Sequence, residues 1–244
     1  MSVFAALARD GAGGLAVLVD PARTAVPDAA ELARRAAEDG AAALLLGNSF
    51  GDGTDPTALA RALKEAAPEL PLLQFPATAS QLVSDVDAIL FLSLISGRNA
   101  QYLIEEHVRA VPFLERHPEL EVIATAYCLV DGGRVTSVEA VSQTRPLPAD
   151  KPELLAAHVR AGMLLGLRAT YVDAGSGASR PVVPEMIRAA RDAARGPLFV
   201  GGGVRSADGV RAARAAGADF VVVGTRLEKD GARAVRELAL AARA

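Results

Sequence analysis

Apolar runs rich in Leu, Ile and Val alternate along the chain with segments of helical period. A first strand is predicted at 15–20 (LAVLVD), then a helix at 28–40 with Asp28 as N-cap and Gly40 at its end. A strand at 42–47 leads to a helix at 56–67, and a strand at 70–75 to a short helical piece at 77–85. Strand four falls at 87–94 and is followed by a longer helix at 99–116. Strand five, at 120–130, runs into a polar excursion (133–150) and a helix from 151 to 166. The last three units pair strand 169–175 with helix 183–194, strand 197–203 with helix 206–217, and strand 218–225 with helix 228–243. The strands lack polar alternation, as parallel strands buried on both faces do. Eight strand–helix units without a composition break predict the α/β class: a single-domain (β/α)8 barrel, a TIM barrel, spanning 1–244. Periodicity alone leaves an open doubly wound sheet as the alternative.

Composition changes this picture little. A chain of 244 residues suits one such barrel, and much of its 51% apolar content is alanine, a helix former. A net charge of −3 without a basic stripe argues against a nucleic-acid partner. The single cysteine, Cys128, rules out a disulfide framework and reads as a buried strand residue. The amino terminus lacks a basic segment followed by an apolar stretch, and no apolar run is long enough to span a bilayer. A soluble, cytoplasmic protein is expected.

In a (β/α)8 barrel the chemistry sits at the carboxyl ends of the strands. Here those ends carry Asp20, Asn48, Ser49, Gln74, Ser93, Ser96, Thr125, Tyr127, Tyr171 and Asp173, which read either as a ring of functional groups or as turn punctuation. The strongest signal is glycine: AGSG (174–177), VGGGVRS (200–206) and VVGT (222–225) follow three consecutive strands. Glycine lets several backbone N–H groups approach one phosphate, and a following helix N-terminus adds positive potential. Ser206 can cap such a helix. Tyr171 and Asp173 lie two apart on one strand and share a face, where they could orient a hydroxyl and help remove its proton. Asp20, before Pro21, could hold Mg²⁺ together with a ligand phosphate, with Ser49 as a nearby oxygen. Arg98 and Asn99 follow strand four. His107, His117 and His158 fall in predicted helices without metal spacing, and Tyr102, Val108 and Val111 read as a packing stripe.

With these residues in view, the chain resembles the geranylgeranylglyceryl phosphate synthases and their heptaprenylglyceryl phosphate synthase relatives, above all the larger archaeal–bacterial subgroup. The resemblance spans roughly 15–230 and rests on VDP (19–21), LLLGNSFG (44–51), DAILFLSLISGRN (87–99), TAYCLVDGG (125–133), the proline-rich run at 142–152, YVDAGSGA (171–178), VGGGVRS (200–206) and AGADFVVVG (216–224). It implies transfer of a polyprenyl chain of the geranylgeranyl type from its diphosphate to the C3 hydroxyl of sn-glycerol 1-phosphate, with Mg²⁺ on the diphosphate. By that resemblance Asp20 and Ser49 match the metal positions. Tyr171, Val172, Asp173, Ala174, Gly175, Ser176 and Gly177, with Gly202, Gly203, Gly224 and Thr225, match the acceptor site. Tyr127 and Arg98 are added as substrate contacts, and Asp173 and Tyr171 as the catalytic pair. It further implies a homo-oligomer, a dimer or a hexamer, and an amphiphilic product allows transient membrane contact. Three positions depart from the family's pattern: Asp173 replaces a usual Glu, Thr225 a usual Asn, and Ala22-Arg23 the Asp-Lys of a common D-P-D-K. A related barrel that prenylates 3-phosphoglycerate, and a phosphate-binding barrel without catalysis, are the alternatives.

Overall fold

A computed structural model describes residues 2–9, 11–47 and 55–243. Its eight strands are β1 (Gly14–Val19), β2 (Ala43–Leu46), β3 (Leu72–Gln74), β4 (Ala88–Leu94), β5 (Glu121–Leu129), β6 (Ala169–Asp173), β7 (Leu198–Gly201) and β8 (Phe220–Val223). All pair in parallel with their sequence neighbours, and β8 returns to β1, so the sheet closes into a barrel. The predicted (β/α)8 class holds and the open sheet does not.

Closure follows from the two-faced burial of the strands. One alternation, including Leu45, Leu73, Leu90, Tyr171, Phe199 and Phe220, fills the lumen. The other, including Val17, Leu44, Leu72, Ile89, Cys128 and Val172, packs against the outer helices. Rings of Phe75, Tyr171, Phe199 and Phe220 contact one another in series across the lumen, with centroids 4.7, 6.1 and 4.7 Å apart.

The outer helices are α1 (Val3–Leu7), α2 (Val26–Asp39), α3 (Thr57–Ala66), α4 (Glu106–Arg116), α5 (Ser137–Ser142), α6 (Pro152–Leu164), α7 (Pro184–Ala193), α8 (Ala207–Ala215), α9 (Thr225–Asp230) and α10 (Val235–Arg243). Several differ from the sequence reading. α2 starts two residues early, because Pro27 fits its first turn; Asp28 therefore lies in that turn and does not cap it. α1 carries no long periodic signal; it forms because Glu121 at the start of β5 accepts from Ser2 Oγ and the amides of Val3 and Phe4. After β3 the helical piece shrinks to one 3₁₀ turn, Ala79–Gln81. The Gln74 side chain binds the Gln81 carbonyl and the Val83 amide, which holds this stretch away from further helix. The helix after β4 opens with a π-turn, Gln101–Glu105, before α4. The polar excursion contains α5 and a bridge between Val130 and Leu147. The last helix breaks at Gly231 into α9, a 3₁₀ turn and α10.

Candidate active site

β6 delivers Tyr171 and Asp173 to the luminal side, and both side chains are buried. Asp173 Oδ2 accepts from the Tyr127 hydroxyl at 2.7 Å, and Oδ1 from the Gly175 amide at 2.8 Å. Burial pushes the Asp173 carboxyl above its ordinary range, and these two hydrogen bonds oppose the shift. Burial, reinforced by the Asp173 charge, pushes the Tyr127 and Tyr171 phenols far up. The proton between Tyr127 and Asp173 therefore stays on the tyrosine, and the carboxylate accepts.

The glycine turns close on this carboxylate. Gly202 has φ +79°, and a Cβ there would sit 2.5 Å from the Gly175 nitrogen and 2.6 Å from Asp173 Oδ1. Only glycine allows the turns after β6 and β7 to meet so closely. Gly224, at φ −121°, needs no such freedom; there a Cβ would press on Leu18 at 3.3 Å. Ser206 caps α8 as expected, accepting from the Gly209 amide at 3.1 Å. A cleft of about 680 Å³ results. Ser176, Gly177, Gly202, Gly203, Gly224 and Thr225 line it from the last three turns, Asp20 and Gly47 from the ends of β1 and β2, and Tyr171 and Asp173 from β6.

Asp20 lies one residue past β1. Its Oδ1 accepts from the Ala22 amide at 2.9 Å, and its Oδ2 faces Arg23 Nε at 3.6 Å. Among the described residues no three His, Cys, Asp or Glu side chains gather as a metal cluster. One carboxylate on a glycine-lined cleft is still a fitting donor for Mg²⁺, which takes one or two carboxylates and completes its shell with phosphate and water oxygens. Asn48 and Ser49 lie outside the described residues.

A second, apolar cavity of about 700 Å³ adjoins the first. Phe91, Leu92, Leu94, Val138 and Val141 contribute aliphatic and aromatic wall. Phe75 lines both cavities, and Tyr127 lines the apolar one while bonding Asp173 in the other. The shortened segment after β3 and the π-turn before α4 frame this cavity, and π-turns recur at functional positions.

Several expectations need correction. Tyr102 is half-buried in the apolar cavity wall, whereas Val108 and Val111 are exposed, so the three do not form a packing stripe. His107 also lines that cavity, its ring 4.3 Å from Phe91, and burial lowers its pKa. Arg98 is exposed, donates to the Gly97 carbonyl and lines neither cavity. Val172 and Ala174 point into the shell between strands and helices. Gln74, Ser93, Ser96 and Thr125 are engaged with backbone groups, so the anticipated ring of strand-end groups contracts to one arc. Sequence reasoning missed Phe75, Gly47, Arg205 and Glu228. The signal for Phe75 and Gly47 was their position at strand ends; Arg205 and Glu228 carried none beyond adjacency to the glycine turns.

The profile of the PcrB family matches residues 15–242. The chain belongs to the PcrB family. Among its relatives, a geranylgeranylglyceryl phosphate synthase of Spirosoma linguale is 42% identical over 90% of this chain and 88% of that protein. One of Korarchaeum cryptofilum is 38% identical over 92% of each. The crystal structure of (S)-3-O-geranylgeranylglyceryl phosphate synthase from Thermoplasma acidophilum, in complex with sn-glycerol-1-phosphate, superposes with a TM-score of 0.90 at 26% identity, over 100% of this chain and 99% of that one. This PcrB-family chain is thus an enzyme similar to those prenyltransferases. No helix among its described residues is long and apolar enough to cross a membrane.

Proposed function

We propose that this chain forms an ether between a polyprenyl group of the geranylgeranyl type and the C3 hydroxyl of sn-glycerol 1-phosphate, using Mg²⁺. The observation that carries the reading is the meeting of the two cavities: an apolar trough and a glycine-lined cleft share Phe75, with Asp173 and Tyr127 at the junction. The acceptor phosphate lies against the amides of the glycine turns, and the prenyl tail fills the apolar cavity. Asp173 takes the proton of the C3 hydroxyl as that oxygen bonds to the allylic carbon. The carbon–oxygen bond to diphosphate breaks, and the diphosphate leaves with the electron pair. Tyr127 and Gly175 hold the Asp173 carboxylate, and the rings of Phe75, Tyr127 and Tyr171 cluster at the junction, where a π-face turned to the allylic carbon would stabilise its developing positive charge. Mg²⁺, bound at Asp20, would supply charge neutralisation for the diphosphate.

The groups that hold Asp173 are uncharged, and the cleft lining carries three carboxylates (Asp20, Asp173, Glu228) against one guanidinium (Arg205). A carboxylated acceptor such as 3-phosphoglycerate would add negative charge beside Asp173, so the neutral polyol end of glycerol 1-phosphate fits better. The test is an acceptor screen with radiolabelled geranylgeranyl diphosphate and Mg²⁺. Ether formed from sn-glycerol 1-phosphate is expected. Product from 3-phosphoglycerate alone would replace the acceptor, and phosphate binding without product for any acceptor or chain length would leave a non-catalytic barrel.

A further inference from the structure

Beside the acceptor cleft lies a second, charged cleft of about 890 Å³ between α2 and the α9 region. The two share Leu18 and Glu228, and Arg23 lies where they meet. The Arg23 guanidinium is held between two carboxylates: NH1 donates to Glu228 Oε2 at 3.1 Å, and Nε lies 3.6 Å from Asp20 Oδ2. Its side chain is 54% exposed, against 15% for Asp20 and 20% for Glu228. The arginine is therefore the mobile member of the trio and the carboxylates the anchored ones.

We propose that Arg23 is a clamp for the leaving diphosphate: it rests on Asp20 and Glu228 in the free chain and transfers to diphosphate oxygens when a divalent cation takes Asp20. This rests on the prenyl-transfer reading above and adds a residue to it. A guanidinium and a divalent cation beside one carboxylate repel each other, so cation binding at Asp20 displaces Arg23. The Arg23 side chain is itself mostly in solvent, so its move from the carboxylates to an arriving diphosphate costs less than freeing a buried guanidinium would. The diphosphate arriving at the same place offers charge-assisted, paired acceptors that suit a planar guanidinium better than an ammonium. Arg205, the cation that lines the acceptor cleft, is turned onto the Ala178 carbonyl at 2.6 Å.

Arg23→Gln should shift two affinities in opposite directions. Binding of Mn²⁺ alone, read by electron paramagnetic resonance, should tighten severalfold, because a competing cation has gone. Binding of inorganic pyrophosphate with Mg²⁺, read by calorimetry, should weaken about tenfold. Glycerol 1-phosphate binding serves as the folding control and should stay within about twofold. Unchanged pyrophosphate affinity would overturn the clamp. Parallel loss of Mn²⁺ and pyrophosphate affinity would also overturn it, making Arg23 a support for Asp20. If the unaltered chain bound glycerol 1-phosphate but no pyrophosphate with Mg²⁺, the prenyl-transfer reading itself would fall, and the clamp with it.

Discussion

Asp173 is a carboxylate in a buried place that disfavours its charge, and its two hydrogen bonds decide how far it can still act as a base. With its pKa raised by burial, transfer should fall away on the acid side at a pH above the ordinary aspartate value of 3.8. Tyr127→Phe removes a donor that favours the charged form, so the acid limb of kcat/KM should move to higher pH and kcat should drop. A limb that stays in place would remove the Tyr127–Asp173 bond from the chemistry. Asp173→Asn should lower kcat by about 10²–10⁴-fold with glycerol phosphate still bound. Asp20→Ala should abolish transfer and leave thermal unfolding unchanged; full activity would remove Asp20 as the metal ligand.

Among the elements, the turns after β6 and β7 act as a single unit because Gly202 lets one backbone rest on the other. Gly202→Ala combines a left-handed φ with a Cβ 2.5 Å from a backbone nitrogen, so it should raise KM for the acceptor more than tenfold by order of magnitude. A donor KM that rose equally would mean a general collapse of the barrel mouth. At the opposite end, α1 exists through its contacts with Glu121, while Phe4 stacks under the Arg168 guanidinium at 3.8 Å. Burial raises the Glu121 pKa, but hydrogen bonds from Ser2, Phe4 and Val3 outweigh it and leave it below the ordinary glutamate value of 4.5. A depressed carboxylate stabilises the fold above its unfolded pKa and ceases to as pH falls through the folded one. Glu121→Gln should therefore flatten the loss of stability below about pH 4.5, as followed by denaturant unfolding at several pH values.

For the whole molecule, the barrel closes at a seam where Asp219 gathers several partners. Its backbone carbonyl accepts from Gly14 at 2.8 Å, and its carboxylate from the Leu198 amide at 2.8 Å and from Arg191 at 2.6 Å. Asp219→Ala leaves an amide and a partly buried guanidinium without that acceptor and should cost about 2 kcal/mol. That corresponds to a fall in Tm of about 4–8 °C, with acceptor KM unchanged because the seam lies at the amino-terminal end of the strands. Closure also creates the active-site arrangement: residues from β3, β5 and β6 meet at one point because neighbouring strands in a closed barrel tilt their ends around a common mouth.

Along the chain, the order of strands, their two-faced burial and the three glycine turns were readable, because each depends on local periodicity or on a backbone conformation that one residue type favours. The glycine-lined cleft was readable for the same reason: Asp173 and its glycines lie within a few residues of strand ends. The apolar cavity was not. It exists because a helix that the pattern at 77–85 suggests stops after one turn, a result of Gln74 reaching across to Gln81 and Val83. Tyr102 and His107 look like ordinary helix residues until that missing cover turns them into cavity wall. The pairing of Tyr127 with Asp173, and of Arg23 with Glu228, joins residues 46 and 205 positions apart. Such contacts leave no periodic trace, since they are set by how the barrel closes and not by what lies next along the chain.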